Sequence, residues 1–488
     1  LKLLRIRQAM LQNDARFWPA LGAGVGASVA TVLHLKRRKQ DRLADVVGVV
    51  AAASTVGMLI WRSRSSNLVR AKQRLTDAEM KKYGLTHRGF LPVVCCERLP
   101  PSHNAWEELS AQLPVLNRSG KFRAALEAMP MLSVEGLSEE QMRRAYIMLT
   151  QFSASYLHAG SAAWGAVEGD ETFVPTVVPR ELPDALAVPL HAAALELGLP
   201  PVVTTTLDLW NFKFVKSNNG GPFGPRDIAC ISTSSGNGAE SGLHTVLTAM
   251  QSVVGPIVPE LVEVHRAMAT QDNDEVERVL HNLLKVLTRY VDMMKDVWNL
   301  VDPAGFYDVY RPFLNGYYDE TEAGVEFKGV DAKGTLAPTC RVVSRGGKDV
   351  VVSLAKGNSA GQSTQFVIFD SILGVHHLPD RPTKPFQAEM LDYMPRQHRL
   401  LAQDVLSNYS PGAGGSLAHY VEAGKGTKVV KDLHKRCLQK LAAVRQSHFR
   451  VATTYLKAVA KGTGASSFRD MLQDAIDATK EAVSGKPA

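Results

Sequence analysis

The stretch Leu433–Leu456, LHKRCLQKLAAVRQSHFRVATTYL, constrains the fold more than any other part of the chain. Cys437, Leu441, Val444, His448, Val451 and Tyr455 recur in alternating steps of four and three, the spacing of one buried face on a long helix. Only one position in that stripe carries an imidazole. A core-facing imidazole needs a partner for each ring nitrogen, or it costs stability. His448 is therefore either a core histidine bonded to a carbonyl or water, or an axial ligand to a haem iron.

Charge is distributed unevenly along the 488 residues. The net charge is +8, yet residues 1–75 hold 14 Lys and Arg against 3 Asp and no Glu. The remaining body has 42 basic and 45 acidic residues, so nucleic acid is not its expected partner. With 45% hydrophobic and 21% charged residues the chain is globular and large enough for a substantial core. Its five cysteines show no CxxC spacing, which fits neither a disulfide framework nor a zinc site.

The basic leader points to a membrane. LKLLRIRQAM is basic, apolar and free of acids, as mitochondrial presequences are. Residues 17–35 and 46–61 are uncharged apolar stretches near the length of a spanning helix, the latter extended to 43–61 by counting in Leu43 and Ala44. KRRKQDR separates them, and Trp18 and Trp61 stand at their ends, where interfacial aromatics belong. A transmembrane hairpin within residues 1–75 is expected, with a mitochondrial inner-membrane location.

The body reads as mainly α. Residues 76–225 are expected as a smaller α-rich domain and linker, and residues 226–488 as a large helical domain. Ser138 followed by EEQ is a capping box. Val276, Val279, Leu280, Leu283, Leu284 and Leu287 give residues 274–301 a strong 3.6 period. The glycines and β-branched residues of 324–352 suggest a hairpin or irregular insertion. There is no Walker or Rossmann glycine motif, no nucleophile elbow and no HExxH, so chemistry is expected on a cofactor buried among helices.

Three groupings carry that expectation. GNSAGQSTQFVIFD, Gly357–Asp370, is a small-residue turn entering an apolar helix with one acid. Gly357, Ser359, Ala360 and Gly361 allow close approach of a flat ligand, or simply cap the helix. DPAGFYDVYRPFL, Asp302–Leu314, sets Arg311 beyond Phe306 and Tyr307. A guanidinium beside an aromatic face suits a ring bearing a carboxylate. Arg445 lies one turn before His448, where a cation suits a haem propionate.

In this order these groupings resemble the indoleamine 2,3-dioxygenase family, haem enzymes of tryptophan breakdown. SAGQSTQFVIFDSILGV, DYMPRQHR, RQSHFRVATTYL, KGTGAS, ELGLPP and DPAGFY all carry the resemblance, which runs over most of residues 90–480. It implies a helical fold around haem b, with His448 as the proximal iron ligand. Asp370 and Arg445 would fix the imidazole and the haem edge. Ser359, Ala360 and Gly361 would form the loop over the haem. Arg311 would grip the substrate carboxylate, Phe306 would pack on the indole, and Ser466 would sit near the substrate ammonium. The implied reaction inserts dioxygen across the indole C2–C3 bond of tryptophan or a related indole, giving N-formylkynurenine.

The departures lie on the distal side. GLHTVL, Gly242–Leu247, places Leu243 and His244 where two aromatics are expected and Leu247 where a serine is expected; Thr204 or Thr205 stands where another aromatic is expected. His244 is a candidate catalytic residue, as a donor to bound oxygen or a sixth haem ligand. The alternative reading is a catalytically silent, dioxygenase-derived accessory subunit of a mitochondrial membrane complex.

Overall fold

The computed structural model describes residues 75–164, 178–318, 321–456, 462 and 467–485. The hairpin expected at 17–35 and 43–61 and the loop residue Ser466 lie outside them.

The first layer is built by four helices. They are α1 (Asp77–Lys82), α2 (Asn104–Arg118), α3 (Phe122–Glu127) and α4 (Glu139–His158). The capping box forms: the Ser138 hydroxyl accepts from the Gln141 amide, and the Gln141 side chain accepts from the Ser138 amide. From Ala145 to His158 every residue of α4 is buried, so it is the spine of this layer. Strand β1 (Glu181–Leu182), α5 (Asp184–Leu197) and α6 (Thr206–Trp210) follow. The hairpin of β2 (Phe212–Phe214) and β3 (Ile228–Cys230) comes next, antiparallel.

A second group of helices follows. These are α7 (Gly238–Val254), α8 (Val258–Ala269), α9 (Asn273–Met293) and α10 (Lys295–Leu300). The stretch Gly238–Ala269 is apolar enough to cross a membrane, but it is mostly buried inside this body. All six residues of the α9 stripe are buried. Each such leucine contributes roughly 1.5–3 kcal/mol over its exposed state. The expected helix to residue 301 instead breaks after Met293. The break brings the α10 carboxyl end onto α7, where a Cβ at Gly242 would stand 2.1 Å from the Leu300 carbonyl oxygen.

A six-residue π-turn (Gly305–Tyr310) runs into a 3-10 turn (Arg311–Leu314). The insertion is a small sheet: β4 (Val325–Phe327), β5 (Cys340–Arg345) and β6 (Lys348–Ser353), in the order β1-β4-β6-β5 with β1 parallel to β4. Helices α11 (Thr364–Leu373), α12 (Thr383–Met390), α13 (Arg396–Asn408) and α14 (Leu417–Glu422) lead to α15 (Lys428–Tyr455) and α16 (Phe468–Ser484). The centre is α15, flanked by α9 and α16.

Residues 72–488 group as one compact unit. The boundary expected at residue 225 is crossed by the β1–β4 pairing and by the Asn117 amide donating to the Ser234 carbonyl.

Candidate active site

The α15 stripe is packed as its spacing implies. Cys437, Leu441, Val444 and Tyr455 are buried, and Val451 is half-buried. His448 is half-buried by surface area, yet burial alone holds its pKa down to about 4. The ring is thus neutral at physiological pH, with a lone pair on one nitrogen. Among the described residues neither ring nitrogen is hydrogen-bonded. A neutral imidazole that no described residue bonds keeps a ring nitrogen for a metal, so this position fits a haem iron.

One turn before it, Arg445 is buried and committed to protein. Its Nη2 donates to Asp370 Oδ1 at 2.5 Å and Oδ2 at 2.7 Å, and its Nη1 donates to the Ala475 carbonyl at 3.0 Å and to the Thr479 hydroxyl. Both terminal nitrogens of the guanidinium are thus engaged by protein, and Arg445 ties α15 to α11 and α16.

Asp370 is fully buried. Burial raises its pKa, but Arg445 and His377 outweigh that and hold it below the usual carboxylate value. No hydrogen bond joins Asp370 to His448 among the described residues. Instead, Asp370 Oδ2 accepts from His377 Nε2 at 2.9 Å and from Gln387 at 3.3 Å. His377 was not foreseen. Its only mark in the sequence is the His376–His377 pair, which has no motif spacing.

The turn before α11 is tethered rather than loose. The Gln362 side chain accepts from the Thr205 amide at 3.1 Å and donates to the Gly357 carbonyl at 2.9 Å. Ser359 is half-buried and its hydroxyl accepts from the Gly361 amide at 3.4 Å; Ala360 is exposed. A Cβ at Gly361 would stand 2.3 Å from Phe386 Cε1. The space that glycine frees is filled by a protein ring, not kept for a ligand.

On the other side, α7 buries most of its surface but leaves Leu243 and Leu247 half-buried. Thr204 is fully buried with its hydroxyl bonded to Thr206, which leaves Thr205 as the residue near the Ser359–Gly361 turn. Phe306 packs edge-on against Tyr455 at 5.9 Å and Tyr310 at 6.3 Å. The π-turn thus meets the helix that carries His448. The Tyr455 hydroxyl donates to the Val301 carbonyl at 2.8 Å, which holds that contact in place. Arg311 is half-buried with its guanidinium 5.7 Å from the Tyr307 ring centre, and burial lowers its pKa.

His244 does not stand free toward a ligand. Its Nδ1 is 2.6 Å from Asp208 Oδ1, and its Nε2 is bonded to the Tyr310 hydroxyl. With both nitrogens engaged, the direct roles expected from sequence, oxygen donor or sixth iron ligand, are not what this arrangement offers. The helical face explains it: Leu243 and Leu247 share one side of α7, while His244 is turned toward α6 and the π-turn.

A family model for indoleamine 2,3-dioxygenase matches residues 79–483. The chain belongs to the indoleamine 2,3-dioxygenase family. Among curated relatives, indoleamine 2,3-dioxygenase acdA of Aspergillus candidus is 27% identical over 425 residues, covering 83% of this chain and 97% of that protein. Indoleamine 2,3-dioxygenase 1 of Mus musculus is 25% identical over 412 residues, covering 80% and 91%. The Saccharomyces cerevisiae indoleamine 2,3-dioxygenase is 25% identical over 402 residues, covering 77% and 80%. Family membership accounts for the mainly helical body. At such identities Leu243, His244, Leu247 and Thr205 are read from this chain's own geometry.

Proposed function

We propose that this chain is a haem-dependent dioxygenase that opens the indole ring of tryptophan or a related indole, giving N-formylkynurenine or its analogue. The observation that carries the reading is the His448 imidazole on the central helix, unbonded among the described residues and one turn from the Arg445–Asp370 pair. Haem b, when bound, supplies the activation of dioxygen toward the indole C2–C3 bond. The protein supplies the ligand, the orientation and the exclusion of water. His448 would hold the iron, with Arg445 and Asp370 fixing the helix that carries it. Ser359 and Ala360 would lie along the haem, and Gly361 lets Phe386 pack behind that turn. Arg311 would pair with the substrate carboxylate, Phe306 would pack on the indole, and Ser466 would meet the ammonium. Leu243, Leu247 and Thr205 would leave this side without aromatic rings, so indoles larger than tryptophan are admissible.

The test is the absorption spectrum of the purified ferrous protein with and without carbon monoxide, followed by product analysis. A Soret band that shifts with carbon monoxide, and conversion of L-tryptophan or another indole to a formylated ring-opened product, support the reading. A protein that takes up no haem overturns it. The accessory-subunit alternative draws no support from the matched relatives.

We also propose a membrane anchor at residues 17–35 and 43–61, with a mitochondrial inner-membrane location and contact with other membrane subunits. Support comes from their composition and the basic leader. Deletion of residues 1–75 should then move the protein from the membrane pellet to the soluble fraction. Full-length protein that is already soluble overturns the proposal.

A further inference from the structure

Asp208, His244 and Tyr310 form a chain of hydrogen bonds that the proposed chemistry does not use. All three are buried, with Tyr310 only 1% exposed. Asp208 Oδ1 meets His244 Nδ1 at 2.6 Å, and His244 Nε2 meets the Tyr310 hydroxyl. The Thr248 hydroxyl donates to the Asp208 carbonyl at 2.8 Å, so α6 and α7 are clipped together twice. The ring of Tyr310 also meets that of His244 edge-on at 5.5 Å.

The position of Tyr310 gives this chain its consequence. Tyr310 is the last residue of the π-turn, and Arg311 is the first of the 3-10 turn. The backbone hydrogen-bond pattern therefore changes exactly one residue before the guanidinium. A π-turn is a locally irregular ladder, often found at functional sites. Pro312, which follows Arg311, contributes no backbone N–H to either pattern. The Arg311 amide closes the turn onto the Phe306 carbonyl, and a side-chain anchor one residue earlier fixes the turn to its neighbours. The phenol of Tyr310, bonded to the imidazole on α7, is that anchor, and Phe306 leans on the same ring. Burial opposes the charged form of His244, but Asp208 and Glu240 outweigh it and raise the imidazole's pKa. With Nδ1 turned to the Asp208 carboxylate, Nε2 is left for the Tyr310 hydroxyl.

We infer that Asp208, His244 and Tyr310 are positioning residues: a buried brace that sets Arg311 and thereby determines how strongly this protein discriminates indoles that carry a carboxylate from those that do not. The inference rests on the reading of Arg311 as the carboxylate partner. It explains why an imidazole stands among the aliphatic replacements of the distal side. The tyrosine needs a polar anchor, which leucine cannot provide.

The experiment compares L-tryptophan with tryptamine, which lacks the carboxylate, by calorimetric titration and steady-state kinetics on the haem-loaded protein. Unfolding midpoints are measured alongside. Wild-type protein binds L-tryptophan more tightly. Tyr310→Phe removes one hydroxyl; it raises the Kd and KM for L-tryptophan about tenfold, leaves tryptamine within about twofold, and lowers kcat little, the pattern of lost ground-state binding. His244→Gln, whose amide can still reach the phenol, keeps most of the discrimination, whereas His244→Leu loses it. If Tyr310→Phe fails to fold, the His244 pair decides alone. Variants that lower the unfolding midpoint while keeping the wild-type ratio between the two ligands overturn the inference and leave the functional reading intact. Wild-type protein that binds both ligands equally overturns the carboxylate reading of Arg311, and the inference with it.

Discussion

Arg445 Nη2 lies 2.5 Å from one oxygen of Asp370 and 2.7 Å from the other, with both side chains only 7% exposed. A buried pair of this kind draws its strength from being complete. Removing one partner leaves an uncompensated charge in the interior. Arg445→Ala is expected to cost about 3–5 kcal/mol in chemical denaturation of the apoprotein. The double replacement Arg445→Met with Asp370→Leu should recover most of that loss, because apolar groups of similar volume often substitute for a buried pair. A double variant as unstable as the single one would show that the pair itself stabilises the fold.

His448 has no hydrogen bond to lose among the described residues. His448→Ala should therefore change apoprotein stability by less than about 1 kcal/mol while abolishing the Soret band after reconstitution. Full haem content in the variant would reassign the iron ligand.

Gly361 tests whether the turn before α11 is shaped by packing. Gly361→Ala pushes a methyl against Phe386 and should cost about 1–3 kcal/mol, the usual range for overpacking. Combining it with Phe386→Leu should restore stability by making room. A destabilised Gly361→Ala that Phe386→Leu fails to rescue would point to backbone strain instead.

Burial pushes His398 down to about 3 and His158 down to about 4, from an ordinary value of 6.5. The unfolded chain therefore binds protons between roughly pH 6.5 and 3–4 that the folded protein does not. Their neutral-state stabilisation is fully present above about pH 6.5 and is lost as pH falls. Each group contributes a slope of about 1.4 kcal/mol per pH unit within that window. Urea midpoints measured from pH 7 to pH 4 should fall accordingly. His398→Leu, which keeps an apolar edge against Phe90, should flatten the profile. A profile unchanged by that substitution would place the acid sensitivity elsewhere.

Much of the site was legible because it is local. Helical spacing is a property of neighbours in the chain, so the α15 and α9 stripes, the Ser138 capping box, the strand-forming insertion and the α11 helix could all be read directly. The SAGQS turn, the DPAGFY segment and RQSHFRV also carried the family, and with it the haem and indole chemistry. Partnerships between distant segments were not legible. Asp208 is one acid in an otherwise uncharged run, and Tyr310 is one aromatic among several. His377 lies in a pair with no motif.

Periodicity can say that a residue faces inward, but not which element it will meet there. Tertiary packing made that decision at three points. It turned His244 away from the Leu243 and Leu247 face and onto Asp208 and Tyr310. It gave Asp370 to Arg445 and His377 rather than to His448, and it filled the space at Gly361 with Phe386. In each case the physical reason is the same: buried polar groups and close-packed rings must be satisfied by whatever neighbours the assembled helices bring within reach. The amino-acid sequence by itself determined the helices, their buried faces and the family. Only the assembled fold determined which donors remain for a ligand and which are consumed in holding the protein together.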